Sequence, residues 1–261
     1  MTAFRRFATF AALAFVLACA ASPTTNKNSN PNMQPATTTT PPATITDAHT
    51  GHATHGDGHS HGHHGDGHGG MQHSFAGPEQ WTKVFDDPAR DAWQKPDEVV
   101  ALMGITSAMT VADLGAGTGY FAGRLARAAA TGHVLAVDVE PSMVEYLKAR
   151  GQRDGWRNVT AQLATATDPT LPAASVDRIL IVDVWHHLND RPAYAAKIAQ
   201  ALKPGGAVFV VDFEMDSPIG PGKAHRLLAS ALAVELQTAG LTTSLATESL
   251  PHQYIVIGRK P

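Results

Sequence analysis

From residue 96 onward the chain alternates between two hydrophobic periods. Short apolar runs at 111–114, 134–138, 159–163, 176–183, 207–213 and 254–258 read as strands, with the centre of the fourth at Ile179-Leu180-Ile181-Val182. Between them, 96–103, 120–130, 142–150, 191–202 and 225–239 carry apolar or small residues at helical spacing. Pro141 and Pro192 stand where a helix start tolerates a missing N–H. Lys203-Pro204-Gly205-Gly206 closes the fourth helix, and Gly240 closes the fifth. Strands alternating with helices predict an α/β fold whose parallel sheet has helices on both faces. The unbroken run 208–211 suits a strand covered on both sides. Segments near 242–249 and 254–258 are expected to pair as an antiparallel hairpin at one edge.

The pattern before residue 79 is different. Arg5 and Arg6 precede an apolar run at 7–18. A bilayer span needs about 20 such residues, so the run reads as the core of a secretory signal peptide. It ends in Val16-Leu17-Ala18-Cys19, which resembles a bacterial lipobox. In that reading Cys19 is lipidated and becomes the mature N-terminus; the alternative is a plain signal peptide with an incidental cysteine. Ala20 after it points to the outer membrane. The expected organisation is a signal peptide at 1–18, a lipid-anchored tether at 19–78 and a folded domain at 79–261, exported and facing the periplasm. Cys19 is the sole cysteine, which excludes intrachain disulfides and a CxxC metal site.

Residues 20–74 hold no aromatic side chain and are rich in Thr, Pro, Asn, Gly and His. Such a segment buries too little surface to offset its ordering entropy and is expected to be disordered. It contains His49, His52, His55, His59, His61, His63, His64, His68 and His73, out of 14 histidines in the chain. Neutral imidazoles bind Zn, Cu and Ni, and a flexible tract can gather several around one ion. The alternative is a solvated linker whose histidines titrate at about pH 6. No metal site is expected in the domain itself. The formal net charge is −3. The first 78 residues contribute three charges of each sign (Arg5, Arg6, Lys27 against Asp47, Asp57, Asp66), so the domain keeps that value without a basic run. Nucleic acid is therefore not an expected partner.

The chemistry concentrates in Val111-Ala112-Asp113-Leu114-Gly115-Ala116-Gly117-Thr118-Gly119-Tyr120, a strand running into a glycine turn and a helix. Glycine lets a backbone approach a ligand closely, and the helix start offers unpaired N–H groups. The stretch from Gly117 satisfies the dinucleotide pattern G-x-G-x-x-A, with Asp138 where a ribose-binding acid is expected. The frame from Gly115 fails, because Tyr120 stands where a glycine is needed.

Four motifs in order, Asp113-Leu-Gly-Ala-Gly-Thr-Gly, Asp138 ending the second strand, Asp183 ending the fourth and Leu202-Lys-Pro-Gly-Gly before the fifth, resemble the class I S-adenosylmethionine-dependent methyltransferases. The resemblance covers nearly all of 79–261. It implies a single Rossmann-like domain with a mostly parallel seven-stranded sheet and an antiparallel edge hairpin. It also implies S-adenosylmethionine as cofactor and a small-molecule acceptor. That donor carries a sulfonium, an ammonium and a ribose diol but no phosphate, so its site needs acceptors more than donors. By the resemblance Asp113 supports the ammonium end, Gly115, Ala116 and Gly117 lie along the ligand, Asp138 accepts the ribose hydroxyls, and Asp183 lies beside the methyl group. Asp168 is the candidate for the adenine amino group; its alternative is an Asx-turn before Pro169.

Methyl transfer is an in-line displacement that positioning alone can accelerate, and a base is needed only if the acceptor loses a proton. The candidates are Asp183, His186 and His187, at a strand end where open α/β sheets bind ligands. If the chain stays extended, the two histidines point to opposite sides. The segment Arg90-Asp91-Ala92-Trp93-Gln94-Lys95-Pro96 resembles one that folds over the cofactor as a lid in related enzymes, with Trp93 as its cover; the alternative is a helix N-terminus with a core tryptophan, and His225 is a second-tier candidate in the loop after the fifth strand. Two other functions fit the pattern less fully: a non-catalytic nucleotide-binding fold beside a metal-binding His tract, and a nicotinamide-dependent oxidoreductase, for which no Tyr-x-x-x-Lys pair is suitably placed.

Overall fold

Helices and strands alternate through residues 77–261, the part of the chain that the computed structural model describes. The predicted signal segment, Cys19 and the His tract lie outside these residues. Three short helices, α1 (Pro78–Phe85), α2 (Arg90–Gln94) and α3 (Pro96–Leu102), precede the first strand. The order is then β1 (Thr110–Leu114), α4 (Ala122–Ala128), β2 (His133–Asp138), α5 (Pro141–Arg153), β3 (Val159–Leu163) and β4 (Val176–Val182). It ends with α6 (Arg191–Ala201), β5 (Leu202–Phe213), α7 (Ala229–Thr238), β6 (Thr242–Leu245) and β7 (Gln253–Arg259).

The strands form one seven-stranded sheet in the order β3-β2-β1-β4-β5-β7-β6. The first five are parallel, and β7 pairs antiparallel with both β5 and β6. The fold is the α/β sheet with an antiparallel edge hairpin expected from the sequence. Alternate residues serve opposite faces. Ile179, Ile181, Val208 and Val210 pack with Ile198, Leu232 and Leu236 of α6 and α7. Leu180, Val182, Phe209 and Val211 pack with Val99 and Leu125 of α3 and α4. The strand order reverses between β1 and β4, so the crevice at a topological switch point opens between their C-terminal ends.

Four local expectations are corrected. The helix expected over 120–130 is shortened to Ala122–Ala128, because Gly119 at φ 91° keeps Tyr120 and Phe121 in the turn. The helix expected from 225 begins at Ala229, after a separate 3-10 turn at Lys223–His225. Arg226 explains the break: its guanidinium donates to the carbonyls of Ser217 and Pro221 at 2.7 Å and of Ile219 at 2.9 Å. Strand β5 begins at Leu202, before the Lys-Pro-Gly-Gly turn, and a register shift against β4 absorbs the turn. The segment after β4 is not extended: Trp185–His187 forms a 3-10 turn.

Candidate active site

Four N–H groups of the glycine turn are paired within the fold. Gly115 and Ala116 both donate to Val137 O, at 2.8 and 3.0 Å, and Gly119 donates to Ala116 O at 2.8 Å. Gly117 donates to Asp138 Oδ2 at 2.8 Å. Glycine is needed here for shape: Gly115 sits at φ 75°, and a Cβ on it would lie 2.3 Å from Val184 Cγ2. Gly117, at φ 53°, leaves room for the Phe85 ring, 3.4 Å from where its Cβ would stand.

Acceptors, by contrast, are in surplus. Asp113 is 3% exposed and its Oδ2 has no hydrogen-bond partner. Burial, reinforced by the charge of Asp138 and opposed by that of Arg90, pushes its carboxyl up to about 7. A buried unpaired carboxylate oxygen is costly unless a ligand satisfies it. Asp138 is also buried, and burial raises its carboxyl although Glu140 N and Gly117 N donate to its two oxygens. Each of those oxygens retains a second lone pair. Beside it Val139 is an exposed large apolar side chain, as is Leu163, the β3 residue that Asp138 pairs with.

At the end of β4 Asp183 takes φ 59°, a left-handed conformation that aspartate tolerates better than most residues. Its amide donates to Val211 O at 3.0 Å. Burial pushes its carboxyl up to about 7; Arg90 and His186 oppose the rise and Asp212 adds to it. The following 3-10 turn sets the His186 and His187 ring centroids 4.2 Å apart, so the two do not diverge as an extended chain would require. His186 is buried, and its Nδ1 lies 2.9 and 3.1 Å from the two carboxylate oxygens of Asp212.

The helices before the sheet cover this crevice. Arg90 donates through Nε and Nη2 to Gln94 Oε1, and its Nη2 lies 3.5 Å from Asp183 Oδ2. Gln94 bonds Gln253, and Gln253 bonds Asp183, closing a ring of four side chains from α2, β7 and the end of β4. Arg90 also lies over the Tyr120 ring, 4.2 Å from its centroid, a cation–π contact. Further out, Arg150 joins Asp86 to the carbonyl of Thr118.

The structure thus gathers Asp113, Gly115, Ala116, Gly117 and Asp138 around one turn and brings Asp183, His186 and His187 to the neighbouring strand end. Asp168 is engaged otherwise: it pairs with Lys197 and accepts from Thr170 N at 2.7 Å, the local turn weighed as its alternative. The Lys197 hydrogen bond holds its carboxyl below the usual range. Asp168 and Asp138 both lie close enough to the Tyr194 hydroxyl to push it up, after the larger effect of burial. Trp93 packs on Phe213, with centroids 6.0 Å apart, and His225 is exposed away from the cluster. Among the described residues no group of three or more His, Cys, Asp or Glu side chains is placed to hold a metal.

Residues 111–206 match the family model of a methyltransferase domain. The fold is that of the class I methyltransferases. A methyltransferase from Aquifex aeolicus, described as S-adenosylmethionine-dependent, superposes with a TM-score of 0.66 over 71% of this chain and 99% of its own, at 24% identity. Demethylmenaquinone methyltransferase of Tropheryma whipplei is 33% identical over 112 residues, 43% of this chain and 45% of that protein. Phosphoethanolamine N-methyltransferase 1 of Triticum aestivum is 35% identical over 132 residues, 49% of this chain and 26% of that protein. The chain therefore spans less than half the length of these two relatives. In this methyltransferase fold, the residues that the motifs leave out are Arg90, Gln94, Asp212 and Gln253. Asp212 has one sequence signal, a charge inside an apolar strand, and Arg90 and Gln94 lie in the segment expected as a lid; Gln253 owes its place to packing between distant segments.

Proposed function

We propose that the chain transfers a methyl group from S-adenosylmethionine to a small-molecule acceptor. The observation that carries this reading is the balance of the turn: four of its N–H groups, those of Gly115, Ala116, Gly117 and Gly119, are paired within the fold, while Asp113 Oδ2 is a buried acceptor without a partner. A pyrophosphate needs donors at that place, as dinucleotide folds provide. A ligand with an ammonium and a ribose diol needs acceptors, which Asp113 and Asp138 supply. The exposed Val139 and Leu163 add an apolar surface for a flat base. When bound, the donor supplies an electrophilic methyl on a sulfonium. Asp113 holds the cationic end, Asp138 fixes the sugar, Asp183 lies beside the reacting group, and the cover formed by α1 and α2 excludes water. His186 and His187 line the acceptor side.

Isothermal calorimetry with S-adenosylmethionine, S-adenosylhomocysteine and NADH tests the reading. Micromolar binding of the first two and no heat from NADH is expected; the reverse order overturns it. The same proposal places the domain outside the cytoplasm, tethered through a lipidated Cys19 in the outer membrane and facing the periplasm. The support is the signal-like run at 7–18 and the lipobox-like Val16-Leu17-Ala18-Cys19. Mass spectrometry of the mature N-terminus checks it: a diacylglyceryl mass on Cys19 is expected, and an intact Met1 contradicts it.

A further inference from the structure

Positioning a methyl donor does not by itself call for the pair His186 and Asp212. Asp212 is fully buried within the apolar strand β5, where an ionised carboxylate is costly unless it is paired. Both its oxygens face His186 Nδ1, at 2.9 and 3.1 Å, and Phe213 N donates to Oδ1 at 2.8 Å. The His186 side chain is 3% exposed. A carboxylate accepts only, so a proton is held on Nδ1, and in the neutral imidazole the lone pair is then on Nε2. A pair kept for packing alone has cheaper replacements, since apolar residues of similar volume often serve as well as a buried ionic pair. The pair also stands at the C-terminal ends of β4 and β5, close enough to Asp183 for both partners to act on its carboxyl.

We infer that Asp212 is a positioning residue that fixes His186 with Nε2 as a proton acceptor, and that the acceptor molecule presents a hydroxyl group, an alcohol or a phenol. The inference rests on the proposed methyl transfer. A neutral amine attacks through its lone pair before losing a proton, a thiol ionises close to neutral pH, and a tertiary nitrogen or a thioether has no proton to lose. A hydroxyl is the acceptor that gains most from a base. As its oxygen bonds to the methyl carbon, the carbon–sulfur bond breaks with its electron pair going to sulfur, and the O–H proton moves to His186 Nε2. The positive charge leaves the sulfonium and ends on the imidazolium beside Asp212; the imidazolium later returns its proton to water.

The test uses the full chain with 15N-labelled histidine. Long-range proton–nitrogen correlation spectra, with His186 assigned by its loss in His186→Gln, are expected to show the Nδ1–H tautomer in the natural protein. Asp212→Asn is expected to move the proton to Nε2, as in other His–Asp pairs. In parallel, labelled S-adenosylmethionine is offered with phenol, aniline and thiophenol as probes. Transfer to phenol is expected, with kcat about 100-fold lower in Asp212→Asn and donor affinity and KM within about twofold. If Asp212→Asn does not fold, His186→Gln carries the same kinetic expectation. An unchanged tautomer overturns the role of Asp212. Transfer confined to aniline or thiophenol, or no transfer to phenol while the donor binds, overturns the hydroxyl acceptor. Failure of the natural protein to bind the donor overturns the methyl-transfer reading instead.

Discussion

Arg90 Nη2 lies 3.5 Å from Asp183 Oδ2, joining α2 to the end of the fourth strand. Both side chains are largely buried, 12% and 23% exposed, and Gln94 and Gln253 complete the ring. Under the proposed function, Arg90 is a cation beside a carboxylate that would also face a cationic donor.

Arg90→Ala should loosen the cover and leave Asp183 without its nearest positive charge. Hydrogen bonds to charged groups contribute about 1.5–3 kcal/mol, so a loss of about 2 kcal/mol is expected in urea unfolding. Protease cleavage between α1 and α3 should rise in parallel. An unchanged denaturation midpoint, with unchanged protection of the cover, contradicts the ring as its fastening.

The raised carboxyls of Asp113 and Asp183 set a pH dependence. Each is near 7 in the folded protein against an ordinary carboxylate value of 3.8, so between these limits the folded state binds more protons than the unfolded one. Stability from these groups is therefore full below about pH 4 and declines as pH rises through 7. A cationic ligand prefers the ionised form. S-adenosylmethionine should thus bind tighter at pH 8 than at pH 6, by about tenfold, with proton release on binding. Calorimetry in two buffers of different ionisation enthalpy measures both.

Asp138→Asn keeps the size of the side chain but replaces one acceptor oxygen with an N–H donor. Gly117 N, Glu140 N and the ribose hydroxyls compete for what is left. Donor affinity should fall about 10–100-fold, at about 1–3 kcal/mol for a lost charged hydrogen bond. Circular dichroism should remain that of the natural protein, and unchanged affinity would remove Asp138 from the site.

Gly115→Ala places a Cβ 2.3 Å from Val184 Cγ2 at a φ of 75°. Overpacking and left-handed strain together should cost about 3 kcal/mol. Adding Val184→Ala relieves the overlap but not the strain, so the double variant should recover part of the loss. Strictly additive effects in thermal melts would show that the contact is not the cause.

The peptide 49–73 should bind Zn, Ni or Cu through its clustered imidazoles. Calorimetry at micromolar metal checks this, and absence of heat leaves the tract a plain linker.

By itself the sequence determined the order of strands and helices from residue 96 onward, the glycine turn and the three strand-end acids; helices α1 and α2 were not among its expectations. These follow from local rules: side-chain period separates strand from helix, and the positive φ at 115 and 117 favours glycine. It also determined the edge hairpin, through the turn-separated segments that became β6 and β7. It did not determine what each polar group bonds to. Nothing local shows that Gly115 and Ala116 spend their N–H groups on Val137 O, or that Asp168 turns to Lys197. The 3-10 turn that brings His186 beside His187, and the meeting of Arg90, Gln94, Asp183 and Gln253, were decided by tertiary structure alone. The physical reason is the same in each case. A buried polar group takes whatever partner the packed chain brings within about 3 Å, and that partner is set by the sheet's strand order, not by neighbours in sequence.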